Sequence, residues 1–335
     1  MTKIWLNKRD EEEEEEEAAK IERGISAMKI DGNSKTLYIC SFEQNQTMDK
    51  SRNWGAYAVR AADLSNLNTK LELRQVGYRA GEDLPPNGGC GVLGSRIVFA
   101  SGLIPGVSPW PWGPEGSTRA YVMDTNDPKH EIVDMDASLH EGKNLPLTME
   151  VGGKLYVLSA KWYGLPLNSF EVFDPVRRKW SLLPEFPNCG HFLSCAIAGT
   201  KLFVSNEKSP TVYCLDLAHP TQWRRVPSMC GGGPFSFSGK ALVLDTEHHD
   251  KKIVFGGGQG SRVLVYLMSL NEETITPIHE LKLPADQLPP WEPSRLTSPR
   301  VSTSNSSLLT SWNTVPTPPL FLSLAHSVPF CFSYS

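Results

Sequence analysis

The sequence predicts an all-β fold made of short sheets repeated along the chain. Three observations predict it. The apolar residues of the middle zone fall in runs of four to seven, bounded by Gly, Pro and Asn. Those runs are rich in Val, Ile, Leu, Phe and Tyr, the residues that suit strands. They also recur at a near-constant interval, which marks a repeat architecture. The 27 glycines and 26 prolines fit many tight turns and argue against long helices.

Composition divides the chain into three zones. Residues 1–25 are charged and carry an acidic block, Asp10 followed by Glu11 to Glu17. Residues 26–284 hold the strand-like runs. Residues 285–335 change character: from Val301 to Ser335 there is no charged residue, and Ser, Thr and Pro make up 17 of the 35. The net charge of −4 belongs to the acidic block, because without it 33 basic residues face 29 acidic ones. A near-neutral body excludes a strongly basic nucleic-acid binder and a uniformly acidic surface. The acidic block itself reads as a solvated, disordered segment.

Five first runs align: Thr36–Cys40, Arg96–Ala100, Lys154–Leu158, Lys201–Ser205 and Lys252–Gly256. Their centres lie 47 to 60 residues apart, and Lys or Arg leads four of the five. A second run follows each: Ala56–Leu64, Ala120–Asp124, Phe170–Asp174, Val212–Asp216 and Val263–Leu267. A third, containing Trp, is visible in Lys179–Leu183 and Gln222–Val226, and a preceding strand in Leu193–Ala198 and Ala241–Leu244. About four strands per roughly 50 residues is the unit size of a propeller blade. A four-stranded sheet buries both faces only when such sheets stack radially. The imperfect alternation of Phe170-Glu171-Val172-Phe173 suits a strand covered on both faces.

The stretch VGGKLYVLSAKWYGLPLNSFEVFDPVRRKWSLLPEFP, residues 151–187, resembles a kelch repeat. Gly152 and Gly153 precede the second strand, Tyr156 lies within it, Phe173-Asp174 take the aromatic-Asp place, and Trp180 follows. The next unit has Leu215-Asp216 and Trp223, and a diglycine stands at Gly256-Gly257. The resemblance, to the divergent kelch-type propellers common in plants, covers about 26–284 and implies a kelch-type β-propeller with five recognisable blades, possibly incomplete. For these motif residues it implies structural roles: glycines where φ is positive, aspartates accepting N–H bonds in the turn they precede, and tryptophans filling the wedge between blades. Kelch propellers more often have six or seven blades, so the tail 285–335 is read as replacing a last blade, as an alternative terminus would. The roughly 25 residues before the first strand are too few for an F-box, which leaves a ligase-adaptor role unsupported.

No phosphate loop is expected at Gly256–Gly260, since no Gly-Lys-Ser/Thr and no helix-forming stretch follows. Cys189, His191 and Cys195, and likewise His248, His249 and Asp250, lack a completing half for zinc. Asp136 and His140 are spaced as in the iron-binding kelch proteins, but position 132 is Ile and the nearest acid is Glu131. No metal, cofactor or catalytic residue is expected. The candidate partner-binding residues are aromatic: Trp54, Trp110 and Trp112 in a Pro-rich loop, and Trp162 with Tyr163. In a propeller these loops open on one face. They either anchor a protein partner or fold back onto the sheets.

The expected function is a non-enzymatic scaffold or adaptor that binds a protein partner through this face. The alternatives are a galactose-oxidase-like or sugar-modifying propeller enzyme, and a truncated splice form with reduced function. No secretory signal is expected from MTKIWLNKRDEEEEEEE, and no run reaches the roughly 18 apolar residues of a membrane span. Seven scattered cysteines, an odd count, favour reduced thiols and a cytoplasmic or nuclear location. Neither nucleic acid nor membrane is an expected partner.

Overall fold

The computed structural model describes residues 36–45, 54–63, 72–86, 88–104, 116–159, 169–187, 193–206, 209–229, 237, 239–258, 262–282, 307–311 and 332–334. These residues form five sheets in chain order. The first begins with β1 (Thr36–Asn45), β2 (Trp54–Asp63) and β3 (Arg74–Gly81). The second is β4 (Gly89–Leu93), β5 (Arg96–Ala100), β6 (Ala120–Asp124) and β7 (Val133–Asp134). The third is β8 (Leu147–Val151), β9 (Lys154–Leu158), β10 (Phe170–Asp174) and β11 (Lys179–Leu182). The fourth is β12 (Leu193–Ala198), β13 (Lys201–Asn206), β14 (Ser209–Asp216) and β15 (Arg224–Arg225), with β16 (Gly239–Lys240) parallel to β12. The fifth is β17 (Leu242–Asp245), β18 (Lys251–Gly257), β19 (Arg262–Ser269) and β20 (Thr274–Lys282). Neighbours within the second, third and fifth sheets are antiparallel, strand after strand. The architecture is an all-β propeller of four- and five-stranded sheets.

Two stretches of the tail join the first sheet. β21 (Ser307–Ser311) runs antiparallel to β1, with Tyr38 opposite Ser311 and Phe42 opposite Ser307. β22 (Phe332–Tyr334) meets β1 at Leu37 and runs parallel to β21. β21 thus lies at the edge of β1 that β4, β8, β12 and β17 take in the other sheets.

The hairpins follow from local sequence. Gly152 and Gly153, both at positive φ (58° and 70°), turn β8 into β9 over two residues, the hairpin geometry that matches strand twist. At the end of the third strand an Asp side chain closes the turn. Asp124 accepts from the Asn126 N–H at 2.9 Å, Asp174 from Val176 at 3.0 Å and Asp216 from Ala218 at 3.0 Å.

Four apolar cores join consecutive sheets. Between the first and second, Tyr57 stacks on Phe99 with centroids 4.5 Å apart, beside Tyr121. Between the second and third lie Val98, Leu139, Phe173 and Trp180. The third and fourth share Phe170, Phe186 and Trp223, and the fourth and fifth share Phe203, Phe237, Tyr266 and Met268. In β9, Leu155 and Val157 face one core while Tyr156 and Leu158 face the next. Both faces of the strand are therefore apolar, and each sheet is stable only through its neighbours.

Candidate functional site

In the antiparallel second, third and fifth sheets, the second strand ends and the third begins at the same end as the sheet's first strand begins. Between the second and third sheets, buried polar groups pin them together. Ser101, just after β5, has φ of 62° and is buried. Its hydroxyl lies 2.6 Å from the Ser117 carbonyl and 2.9 Å from the Lys143 carbonyl, and it accepts the Lys143 N–H. Gly102 N–H also donates to the Lys143 carbonyl, and Leu103 N–H to that of Pro86. Backbones cross closely here: a Cβ on Gly142 would stand 1.7 Å from the Gly116 carbonyl oxygen. Only glycine fits at that crossing.

Beneath this crossing sits an ion pair with no exposed side-chain surface. Lys143 Nζ is 2.5 Å from Glu171 Oε1 and also donates to the Glu141 carbonyl at 3.1 Å. Glu171 accepts the His140 and Glu141 N–H groups at 2.8 and 3.2 Å, and its Oε2 lies 2.8 Å from His140 Nδ1. Burial alone would raise the Glu171 carboxyl. Lys143 and the two His140 contacts outweigh it and hold Glu171 below the ordinary range. Burial pushes the Lys143 ammonium down, and Glu171 opposes that shift. A charge taken out of water needs such a partner together with hydrogen bonds on its remaining lone pairs. Lys143 and Glu171 neutralise each other, and the cluster braces the loop bases.

Two aromatic-bearing segments begin and end at these braced positions. Leu103 and Gly116 pair across the foot of residues 105–115, which contain Trp110 and Trp112. Ser159 N–H donates to the Ser169 carbonyl at 2.9 Å across the foot of residues 160–168, which contain Trp162 and Tyr163. Those four aromatics lie outside the described residues. Trp54 opens β2 opposite Asn45, and its side chain is likewise outside them.

The motif residues sit within and between the sheets. Tyr156, Phe173, Trp180 and Trp223 are buried. Trp180 Nε1–H donates to the Ala137 carbonyl at 3.1 Å, and Trp223 Nε1–H to that of Pro184 at 2.8 Å. Each indole thus ties its sheet to the connection leaving the preceding sheet. A Cβ on Gly256 would stand 2.3 Å from the Phe237 ring, and Gly257 ends β18.

Asp136 pairs with Arg178, and His140 with Glu171, so the spaced pair serves two separate contacts. Among the described residues, no three His, Cys, Asp or Glu side chains group as metal ligands. Cys40, Cys90, Cys195 and Cys214 are buried cysteines, and burial pushes Cys195 up to about 12. No described helix is long and apolar enough to cross a membrane.

Sequence reasoning missed Ser101, Gly116, Gly142 and Lys143 as a set. Glu171 did leave a trace, as an acid inside an otherwise apolar strand.

No family model matches the chain, and no curated protein matches it. A solved structure titled "Structure of YjhT" is similar in shape, with a TM-score of 0.46 and 12% identity, covering 69% of this chain and 82% of that one.

Proposed function

We propose that the chain is a kelch-type, non-enzymatic scaffold of the cytoplasm or nucleus, which binds a protein partner through its loop face. One observation supports this best: two Trp-bearing segments, in adjacent sheets, begin and end at residues held by the Ser101–Lys143–Glu171 brace. Rigid bases under aromatic loops lower the ordering cost of binding, and Trp and Tyr are the usual anchors of an interface. Proximity labelling in the source cells tests it, with the Trp110→Ala, Trp112→Ala, Trp162→Ala variant as control. The proposal expects the labelled set to lose specific partners in that variant. An unchanged set refutes the face. The enzyme alternative needs a metal or an unneutralised acid–base group, so stoichiometric copper or iron in the purified protein would favour it instead.

A further inference from the structure

A second polar cluster lies on the rim of the same face, between the first and second sheets. Tyr121, on β6, is fully buried, and its hydroxyl has no hydrogen-bond partner. An unmade bond on a buried hydroxyl is costly and calls for an explanation. Two guanidinium groups flank its ring. Arg79 Cζ is 4.7 Å and Arg119 Cζ 5.7 Å from the centroid. Arg79 bonds Asp134 at 2.6 Å and the Ile132 carbonyl at 3.2 Å. Arg119 pairs with Asp83 and lies 3.6 Å from Asp134.

These bonds differ in how firmly they are built. Asp134 belongs to β7, directly opposite Tyr121. Asp83 follows β3 in the sheet-to-sheet connection, and its side chain is 58% exposed. Its carboxyl is held below the ordinary range chiefly by the hydrogen bond from Arg119. An exposed pair of this kind contributes little to stability, so exchanging its carboxylate for another costs little. Burial raises the Tyr121 phenol, which therefore stays protonated and able to donate. Arg119 stands three residues beyond Gly116, at the foot of the loop that holds Trp110 and Trp112.

We propose that Arg119, Arg79 and the Tyr121 hydroxyl form a site for one oxyanion, a carboxylate or phosphate carried by a peptide segment, and that Asp83 occupies the Arg119 part of it in the free protein as a tethered competitor. Two forked guanidinium groups and a phenol supply the donors such a group needs. The site rests on the loop-face reading for its partner, but its chemistry can be tested alone.

The test is fluorescence polarisation of the full chain with three labelled peptides differing at one position: glutamate, phosphoserine or glutamine. Asp83→Ala is expected to tighten the glutamate or phosphoserine peptide about two- to fivefold, by removing the competitor of an exposed pair. Arg119→Gln is expected to weaken it about tenfold or more, through loss of a charge-assisted bond. Tyr121→Phe is expected to weaken it with no fall in melting temperature, since it removes only an unpartnered hydroxyl. Whichever acidic peptide binds identifies the oxyanion. Equal binding of the glutamine peptide, or no gain in Asp83→Ala, overturns the site. If that happens while the Trp-loop variant still loses its cellular partners, the loop-face reading stands without it.

Discussion

At the scale of single residues, the buried Glu171–Lys143 pair carries the sharpest expectations. Glu171→Gln leaves an ammonium without its counter-charge in a site with no exposed surface. The cost is about 3–5 kcal/mol, read as a fall in the denaturant midpoint. Replacing both partners together, Lys143→Met with Glu171→Gln, is expected to cost much less than either single change, because no charge is then left buried and the amide oxygen still accepts the backbone N–H groups. Acid acts on the same group. The folded-state pKa of Glu171 is depressed, so its contribution is present above the unfolded value of about 4.3 and is lost as pH falls through the folded value. Asp83 and Glu273 are held low by Arg119 and Arg224 and shift in the same sense. Denaturant midpoints are thus expected to be flat near neutrality and to fall below about pH 4.5, with a smaller fall in the doubly substituted protein. At the backbone crossing, Gly142→Ala forces two backbone segments apart, since the added methyl would overlap the Gly116 carbonyl. It is expected to lower the melting temperature where Gly94→Ala, with open space around it, acts only through its positive φ.

At the scale of strands and sheets, much was legible in the sequence. The second strands β5, β9 and β13 each show a basic residue and then an apolar run, because one end lies at a turn and the rest is buried on both faces, whereas β18 keeps an alternating burial. That double burial also erased the alternation by which single strands are usually recognised. The outer strands were harder. β7 and β15 have two residues each, too short to leave a periodic signal. The joining of β21 to β1 was not legible, since no local pattern ties Ser307–Ser311 to a strand more than 250 residues earlier. Lys143 and Glu171 are 28 residues apart on different elements, so only the folded register reveals the brace. β21 gives an expectation of its own. Truncation after Lys282 removes it and bares the edge of β1, which is expected to speed amide exchange in β1 and β2 while β9 and β10 stay protected.

At the scale of the whole molecule, the account joins a stack of sheets to a set of loops. Among the described residues, indoles hold two of the four seams, Trp180 between the second and third sheets and Trp223 between the third and fourth. The proposed partner-binding indoles, Trp110, Trp112 and Trp162, belong to the segments that start and end at the braced positions. The two classes separate in one measurement, the thermal melting of two variants beside the parent protein. Trp180→Ala removes a buried ring and its bond to Ala137, at a cost of about 3–5 kcal/mol and a melting temperature lower by about 10 °C. The triple variant Trp110→Ala, Trp112→Ala, Trp162→Ala is predicted to melt within about 2 °C of the parent, as surface changes do. A triple variant that melts as low as Trp180→Ala would contradict the account, because its loop tryptophans would then belong to the fold and not to a binding face.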